Sequence, residues 1–528
     1  MYVKICIAVE SVVPGQNAGT VQMQAMEECM YKTDPFMCKI DPPEGVEVIL
    51  STLGNNGFQA YAVGGCIRDS VMGRKPKDWD IATEAYPDDV RRLFEKTVDT
   101  GIAHGTVSVI LDDVRYEVTT FRIDGRYEDG RHPVKVEFTP NIGDDLYRRD
   151  FTINAMAWNP AAGIIDPFGG IRDIACRIIR TVGDPAERFR EDALRMLRAV
   201  RFASVLGFDI EKRTLDSIRE NSSLITKISA ERIREELTGI LASGDPGKFM
   251  ILKDTGLLRY IMPELDVCFD RDYGFSVMGE HCISSVKAAG ADTYIRWAML
   301  LHGLCMCPDI EAISAGENDQ HVSVSESVGK NVEQAGIILS RLKFDNKSKN
   351  KILRLIRHLW TPTGTDRRTV ARAVTAAGSD LFADLIKAKR AHITAELCTP
   401  NGLWSGSKLQ TDKINKETVN EATMRSIEER GSIGGNPAAC IHESAEKALR
   451  ELDRTEEIYE SLMESRYCLS LKDLAINGND LKKLGFSEGS IIGRTLEYLL
   501  ERVIDEPELN NKDALEKTAL NFLKESEL

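Results

Sequence analysis

A chain of 528 residues is long enough for three or four domains, and its formal charge of −14 is not the overall signature of a nucleic-acid binder, so any RNA surface has to be local. Its 12 cysteines lie scattered, only Cys305 and Cys307 are close, and a C-x-C with no matching pair is not a zinc pattern; free thiols in a cytoplasmic protein are expected. No run of about 20 apolar residues predicts a membrane span, and the opening MYVKICIAVE, interrupted by Glu10, lacks the build of a signal peptide.

Residues 1–42 show no clear period and read as a poorly ordered extension. From Pro42 a helix is predicted, with Val46, Ile49, Leu50 and Leu53 on one face and Gly54-Asn55-Asn56-Gly57 ending it. The rest of the chain is organised around the stretch from Tyr61 to Thr83, YAVGGCIRDSVMGRKPKDWDIAT. Tyr61 to Val63 is strand material. Gly64-Gly65 permits a tight turn and a close approach to a ligand. Arg68 and Asp69 fall in the first turn of the next helix, whose free N–H groups favour an anion, and Gly73 is a suitable stop. On a second strand, Asp78 and Asp80 point to the same face because strand side chains alternate. Paired carboxylates repel, and a divalent cation relieves them; an all-oxygen seat with positions left for phosphate suits magnesium. A phosphate-facing turn followed by a two-acid metal seat is equipment for phosphoryl or nucleotidyl transfer. Alone, a D-x-D is usually a solvated strand end.

Tyr86-Pro87-Asp88-Asp89 starts another helix. Thr106–Leu111 and Arg115–Phe121, joined at Asp112-Asp113, alternate as a β-hairpin. Glu117, opposite Tyr116 and Val118, is either a third acid near the metal or a solvated strand residue. Asp124 to Pro140 is charged, Gly-containing and short of core residues, and reads as a mobile loop. Arg148 and Arg149 open the string RRDFTINA, and paired guanidinium forks match triphosphate oxygens. Asp166-Pro167-Phe168-Gly169-Gly170, ending at Asp173, is a turn without assigned chemistry. Glu191 to Arg201 is predicted as one amphipathic helix. Leu194, Leu197 and Val200 bury one face, and Asp192, Arg195, Arg198 and Arg201 recur on the other. That polar face is either a solvated stripe or a base reader. Cytosine and adenine both show an amino donor beside a ring-nitrogen acceptor. Asp192 accepting and Arg195 donating would match that edge, while guanine and uracil would leave both unpaired.

The G-G-x-x-R-D and D-x-D of residues 64–80, the RRDFTINA string and the E-D-x-x-R of residues 191–195 together resemble the bacterial-type tRNA nucleotidyltransferases and their poly(A) polymerase relatives. The resemblance implies an α/β catalytic head of the DNA polymerase β-like type, a mixed sheet with flanking helices, followed by an all-α neck, body and tail. It implies that Asp78 and Asp80 are catalytic and hold Mg2+, with Glu117 as a candidate third ligand. Gly65, Arg68 and Arg149 would hold the triphosphate and Asp192 and Arg195 would read the base. Arg198 and Arg201 would face phosphate or ribose. In these families a loop such as that from Asp124 helps the pocket switch from cytosine to adenine, and members that add only cytosine lack it.

Further along, Glu231–Leu237 is a charged helix start with a bracing role. His281 and Leu300-Leu301-His302-Gly303 look like remnants of a histidine–aspartate metal phosphohydrolase. Gly303 stands where the metal-binding Asp would follow, so a second hydrolase site is rejected and two ordinary helix histidines are expected. Residues 310–330 read as an exposed loop. Arg341, Lys343, Lys347, Lys349, Lys351, Arg354, Arg357, Arg367, Arg368 and Arg372 form either an RNA-backbone surface or a solvated helical face. After a linker or insertion, a long helix over Glu443–Arg466 leads to Asn477-Gly478 and a helix from Ile491. This region resembles the tail that holds the tRNA elbow, and Gly489–Arg494 meets phosphates there or is a plain helical turn.

The expected layout is an extension over 1–42, a head over 43–182, a neck over 183–250, a body over 251–397, a linker over 398–437 and a tail over 438–528. The resemblance implies template-independent addition of the 3′-terminal CCA to tRNA from CTP and ATP, in the cytoplasm and without a membrane. The sequence leaves the oligomeric state open. An A-only adding enzyme or a poly(A) polymerase shares every motif quoted, and a non-catalytic RNA-binding protein of the same fold is the alternative of another class.

Overall fold

The computed structural model describes residues 40–101, 105–124, 136–269, 276–304, 324–398, 437–465, 467–487 and 489–526. Nearly all of the expected extension, the centre of the loop from Asp124, most of the 310–330 loop and almost all of the 398–437 linker lie outside the described residues. The chain divides into two compact units, Met1–Ser229 and Ala230–Leu528.

The first unit is built on a seven-stranded mixed sheet in the order β3-β4-β5-β2-β1-β8-β9. The strands are β1 (Ala60–Val63), β2 (Asp80–Thr83), β3 (Thr97–Gly101), β4 (Thr106–Leu111), β5 (Val114–Thr120), β8 (Ala157–Asn159) and β9 (Gly163–Ile165). Only β2 and β5 run parallel; the other neighbours are antiparallel. The central strands are buried on both faces. Ala60 and Ala62 of β1 pack with Val46, Ile49, Leu50 and Leu53 of helix α1 (Glu44–Asn55), as the spacing predicts. Tyr61 and Val63 face the opposite cluster, with Phe121, Ile142 and Leu146. The β4–β5 hairpin turns on Asp112 and Asp113, with φ of 48° and 60°; two successive left-handed residues match the right-handed twist of paired strands.

The ends of the loop expected from Asp124, and the Asp166 turn, lie among the described residues. A two-stranded ribbon, β6 (Arg122–Asp124) with β7 (Val136–Phe138), paired antiparallel, bounds the first, so Val136–Phe138, expected to belong to the mobile loop, form a strand. The Phe138 ring, edge-on to Tyr86 at 5.3 Å, anchors the returning strand, so Val136 to Phe138 serve as structure. The Asp166 turn is structural, in keeping with its lack of assigned chemistry: the carboxylate accepts from the Gly170 and Ile171 N–H groups at 2.7 and 2.9 Å and starts the short helix Gly170–Ala175.

The second unit is helical throughout its described length. Its principal helices span Ala230–Leu241, Ser276–Ala288, Thr293–Leu301, Val324–Arg341, Asn346–Leu359, Arg367–Ala377, Phe382–Cys398, Pro437–Glu464, Ser490–Asp505 and Lys512–Ser526. The predicted helix over Glu443–Arg466 is therefore a longer element. Asn477 caps the short helix Gly478–Lys483, accepting from the Asn479 and Asp480 N–H groups. The basic stretch is less available than its sequence suggests. Arg341 pairs with Glu264, Lys351 with Asp384, Arg354 with Asp380, and Arg368 and Arg372 with Asp505. Paired in this way, these five side chains brace helices against one another, which weakens the RNA-surface reading at their positions.

Candidate active site

β1 ends at Val63, and Gly64 turns the chain with φ +80° and ψ −128° into helix α2 (Gly65–Val71). A side chain is disfavoured at Gly64 by that φ, and a Cβ there would stand 2.8 Å from the Arg149 Nη1 and push that guanidinium aside. Gly73, with φ 68°, comes just after the end of α2 as expected.

β2 begins at Asp80, so Asp78 lies in the segment leading into the strand rather than on it. The alternation nevertheless holds: Asp78 and Asp80 are exposed, and Trp79 between them is buried. The parallel register sets Asp80 beside Glu117 of β5, which is also exposed. Asp80 is open to water at its tip but walled by protein. That partial burial pushes its carboxyl above the usual range, Arg149 pulls the other way, and the Glu117 and Asp78 charges push it up again. The three acids are thus exposed and repel one another at Asp80, and their hard oxygens are of the type that suits a hard divalent cation rather than a soft one.

The arginines are held by buried acids to which the sequence motifs give no role. Asp145, 1% exposed, takes Arg148 at 2.8 Å and Arg149 at 3.2 Å. Burial alone would raise its carboxyl, but the two guanidinium charges and their hydrogen bonds hold it below the usual range. Asp150 is the second such acid. It accepts from Arg198 at 2.7 Å and from the Asn154 amide at 3.2 Å, and these with Arg195 outweigh its desolvation and keep its carboxyl low. Asn154 in turn accepts from Arg68 at 2.7 Å, so Arg68 and Arg198 are tied through one amide. The Phe202 ring lies under three guanidinium groups, Arg68 at 5.4 Å, Arg198 at 5.3 Å and Arg201 at 4.4 Å. The Arg149 Nε is buried without a hydrogen-bond partner among the described residues. The spacing of Asp145 from Arg148 and Arg149, three and four residues on, was a signal in the sequence. Nothing local marked Phe202 or Asn154.

The predicted helix over Glu191–Arg201 is not continuous. Helix α3 (Pro185–Glu191) stops, Asp192 is extended at φ −143° and ψ 104°, and helix α4 runs from Leu194 to Leu206. The Asp192 carboxylate accepts from the Leu194 N–H at 3.0 Å, the action of a cap. The apolar face is as expected, with Leu194, Leu197 and Val200 buried. The polar face is not a solvated stripe. Arg195 is 8% exposed, pairs with Glu191 at 2.5 Å and donates to the carbonyls of Arg148 and Arg188. Asp192 and Arg195 are therefore adjacent across a helix break, and Arg195 enters the site already bonded.

Asp80 and Asp150 differ in what their removal should do. Because the folded carboxyl of Asp80 lies above its ordinary value, its contribution to stability is present at low pH and is lost as pH rises through that raised value. At neutral pH without metal, Asp80→Asn should raise the melting temperature. Magnesium should raise that of the unaltered chain, through about 2.7 kcal/mol of added stability at a hundredfold excess over Kd, and leave the variant nearly unmoved. Thermal melts with and without the ion check both. Asp150→Ala removes the buried carboxylate to which the one-third-exposed Arg198 and the Asn154 amide donate, and should cost about 1–3 kcal/mol in urea unfolding; a loss below about 0.5 kcal/mol, within the range of an exposed pair, would show that the Arg198 pair braces nothing.

Three family models match the chain: the Poly A polymerase head domain over residues 60–180, the probable RNA and SrmB-binding site of polymerase A over 207–269, and tRNA nucleotidyltransferase domain 2 over 436–519. A CCA-adding enzyme of Lactobacillus helveticus is 48% identical over 226 residues, 42% of this chain and 57% of that relative. One from a Geobacillus species is 43% identical over 259 residues, 49% of this chain and 62% of the relative. The chain thus matches about three fifths of the length of these curated relatives. Over a longer span, the crystal structure of the Bacillus stearothermophilus CCA-adding enzyme in complex with CTP superposes with a TM-score of 0.61 at 28% identity, covering 94% of this chain and 99% of that one. Across these matches the chain is similar to the CCA-adding enzymes, with a first unit that matches the Poly A polymerase head domain.

Proposed function

We propose that this chain adds the 3′-terminal CCA to tRNA from CTP and ATP without a nucleic-acid template, releasing pyrophosphate. The observation that carries the reading is the register of Asp80 with Glu117, beside Asp78 and facing Arg149 behind the Gly64 turn. It is supported by the relatives named CCA-adding enzymes and by the CTP complex of the Bacillus stearothermophilus enzyme.

In this reading Asp78 and Asp80 hold Mg2+, with Glu117 beside them. Bound there, the ion lowers the pKa of the primer 3′-hydroxyl and offsets charge on the departing pyrophosphate. Gly65 leaves room for the triphosphate, and Arg68 and Arg149, fixed by Asn154 and Asp145, meet its oxygens. Arg198 and Arg201, set around Phe202, add positive charge next to them. Asp192 accepts the amino hydrogen of cytosine or adenine. Arg195, oriented by Glu191 and two carbonyls, donates to the ring nitrogen through an N–H not used in those bonds. The segments over 183–250, 251–397 and 438–528 act as neck, body and tail that position the tRNA. In this reading the work takes place in the cytoplasm, which suits the unbridged thiols of Cys66 and Cys468; among the described residues no helix is long and apolar enough to cross a membrane.

Asp80→Ala should abolish incorporation of labelled CTP and ATP while tRNA binding by filter retention stays within about threefold of the unaltered chain. Persistent incorporation would remove Asp80 from the chemistry. Asp192→Ala should admit GTP or UTP, and a variant still confined to C and A would place base reading elsewhere. Sequencing the 3′ ends made from tRNA lacking one, two or three terminal residues separates full CCA addition from A-only addition or poly(A) synthesis.

A further inference from the structure

The second unit holds a cluster that the nucleotidyl-transfer reading does not use. His281 on the helix Ser276–Ala288, His302 at the end of the helix Thr293–Leu301, and His392 on the helix Phe382–Cys398 turn their rings to one point. His281 Nε2 lies 2.9 Å from His392 Nδ1, and His392 Nδ1 lies 3.2 Å from His302 Nε2. One potential ligand atom from each falls within 4.8 Å of the others, and among the described residues no other group of three or more His, Cys, Asp or Glu does so. The expectation of two ordinary helix histidines is therefore revised: a third histidine, more than 80 residues further on, completes a trio.

The hydrogen count of this trio does not close well. His302 Nδ1 is 2.7 Å from the Met299 carbonyl, which can only accept, so that nitrogen carries the proton and Nε2 is bare. A neutral His392 has at most one proton on Nδ1, and that proton cannot lie in line with both neighbours. His281 Nε2 also has the Ser285 hydroxyl 3.4 Å away, a hydroxyl that itself donates to the His281 carbonyl; with a proton on His392 Nδ1 alone, two lone pairs are left converging. His281 and His302 are buried, and neutral imidazole is the form that binds a metal. A cation at the point of convergence would accept all three lone pairs.

We propose that His281, His302 and His392 bind a divalent transition ion of the zinc class, at a second metal site separate from the carboxylates of the head. The dimensions suit it. Zinc–nitrogen bonds of about 2.0–2.1 Å in a tetrahedron place the nitrogens about 3.4 Å apart, close to the 2.9 and 3.2 Å found. Imidazole selects zinc, cobalt, nickel or copper, whereas magnesium takes oxygen. The outer contacts are those of a ligand set: His302 is oriented by the Met299 carbonyl, and His392 Nε2 lies 3.7 Å from the Glu396 carboxylate. The Trp360 ring, 4.8 Å from that of His392, walls the site. The nearby ammonium of Lys389 donates to the carbonyls of Leu359 and Thr361. Residue 303 contributes no ligand: a Cβ on Gly303 would overlap Met278 Sδ and stand 3.0 Å from Cys282 Sγ. Three nitrogens hold the ion, the fourth position goes to water or a small anion, and the ion ties three helices distant in sequence.

The test uses the full chain, stripped with a chelator and titrated with Co2+ and then Zn2+. One Co2+ per chain with a visible spectrum of tetrahedral type, displaced by Zn2+, is expected. The Asp78→Asn/Asp80→Asn double variant should bind it equally. His392→Gln should weaken it by more than the roughly 10–100-fold that loss of an outer partner costs. Zinc should raise the melting temperature of the unaltered chain and the double variant. X-ray absorption on the unaltered zinc-loaded chain, with three histidine nitrogens expected, gives a readout independent of how His392→Gln folds. Failure of the double variant to retain stoichiometric cobalt or zinc, an all-oxygen shell, or unchanged binding in His392→Gln would each overturn the site. Because none of these readouts uses nucleotide addition, failure here leaves the proposed activity untouched, and the converse holds.

Discussion

Repulsion among carboxylates is the constraint that orders the first unit. A parallel pairing of β2 with β5 sets Asp80 against Glu117, with Asp78 just before the strand. A protein selected for stability alone would separate these charges. Here the sheet core beneath them, from Val46 to Val118, fixes their spacing. Arg149 offers a counter-charge through a gap that exists because residue 64 has no side chain. The strain of like charges in one place is what gives a cation something to relieve.

Around that point the cations are set out as rigidly as the anions. Asp145 and Asp150 are buried beneath the arginines they bind, and Asn154 and Phe202 link the rest. Long guanidinium side chains ordinarily lose rotamer freedom on meeting a ligand. Held in advance by buried acids, they lose less, and their planar forks keep one orientation. In the proposed reading these acids would therefore act on a triphosphate without touching it. This also explains why a chain of net charge −14 can still present positive groups where they are needed.

Much of this was legible in the sequence. The 3.6-residue spacing of Val46, Ile49, Leu50 and Leu53 and the alternation through Val107, Val109, Tyr116 and Val118 named the core, because burial there is one-sided and periodic. Gly64-Gly65 and the D-x-D named the site, because backbone freedom and paired charge are written in residue type. Three things were less visible. The break at Asp192 was hidden, since helical periodicity continues across it and only the capping bond to Leu194 reveals the interruption. The commitment of Arg341, Lys351, Arg354, Arg368 and Arg372 to acids depends on partners in other helices, which a run of basic letters does not disclose. His392 lies too far along the chain from His281 and His302 for any local pattern to join them.

The packing at Gly303 bears on how this position can change. Met278 and Cys282 lie where a side chain there would go. An aspartate introduced by a single codon change would meet the Met278 thioether before it gained a ligand, and a smaller neighbour introduced first would open a void with no reward. The position is thus coupled to its surroundings, and accepts a larger residue most readily together with a repacked neighbour.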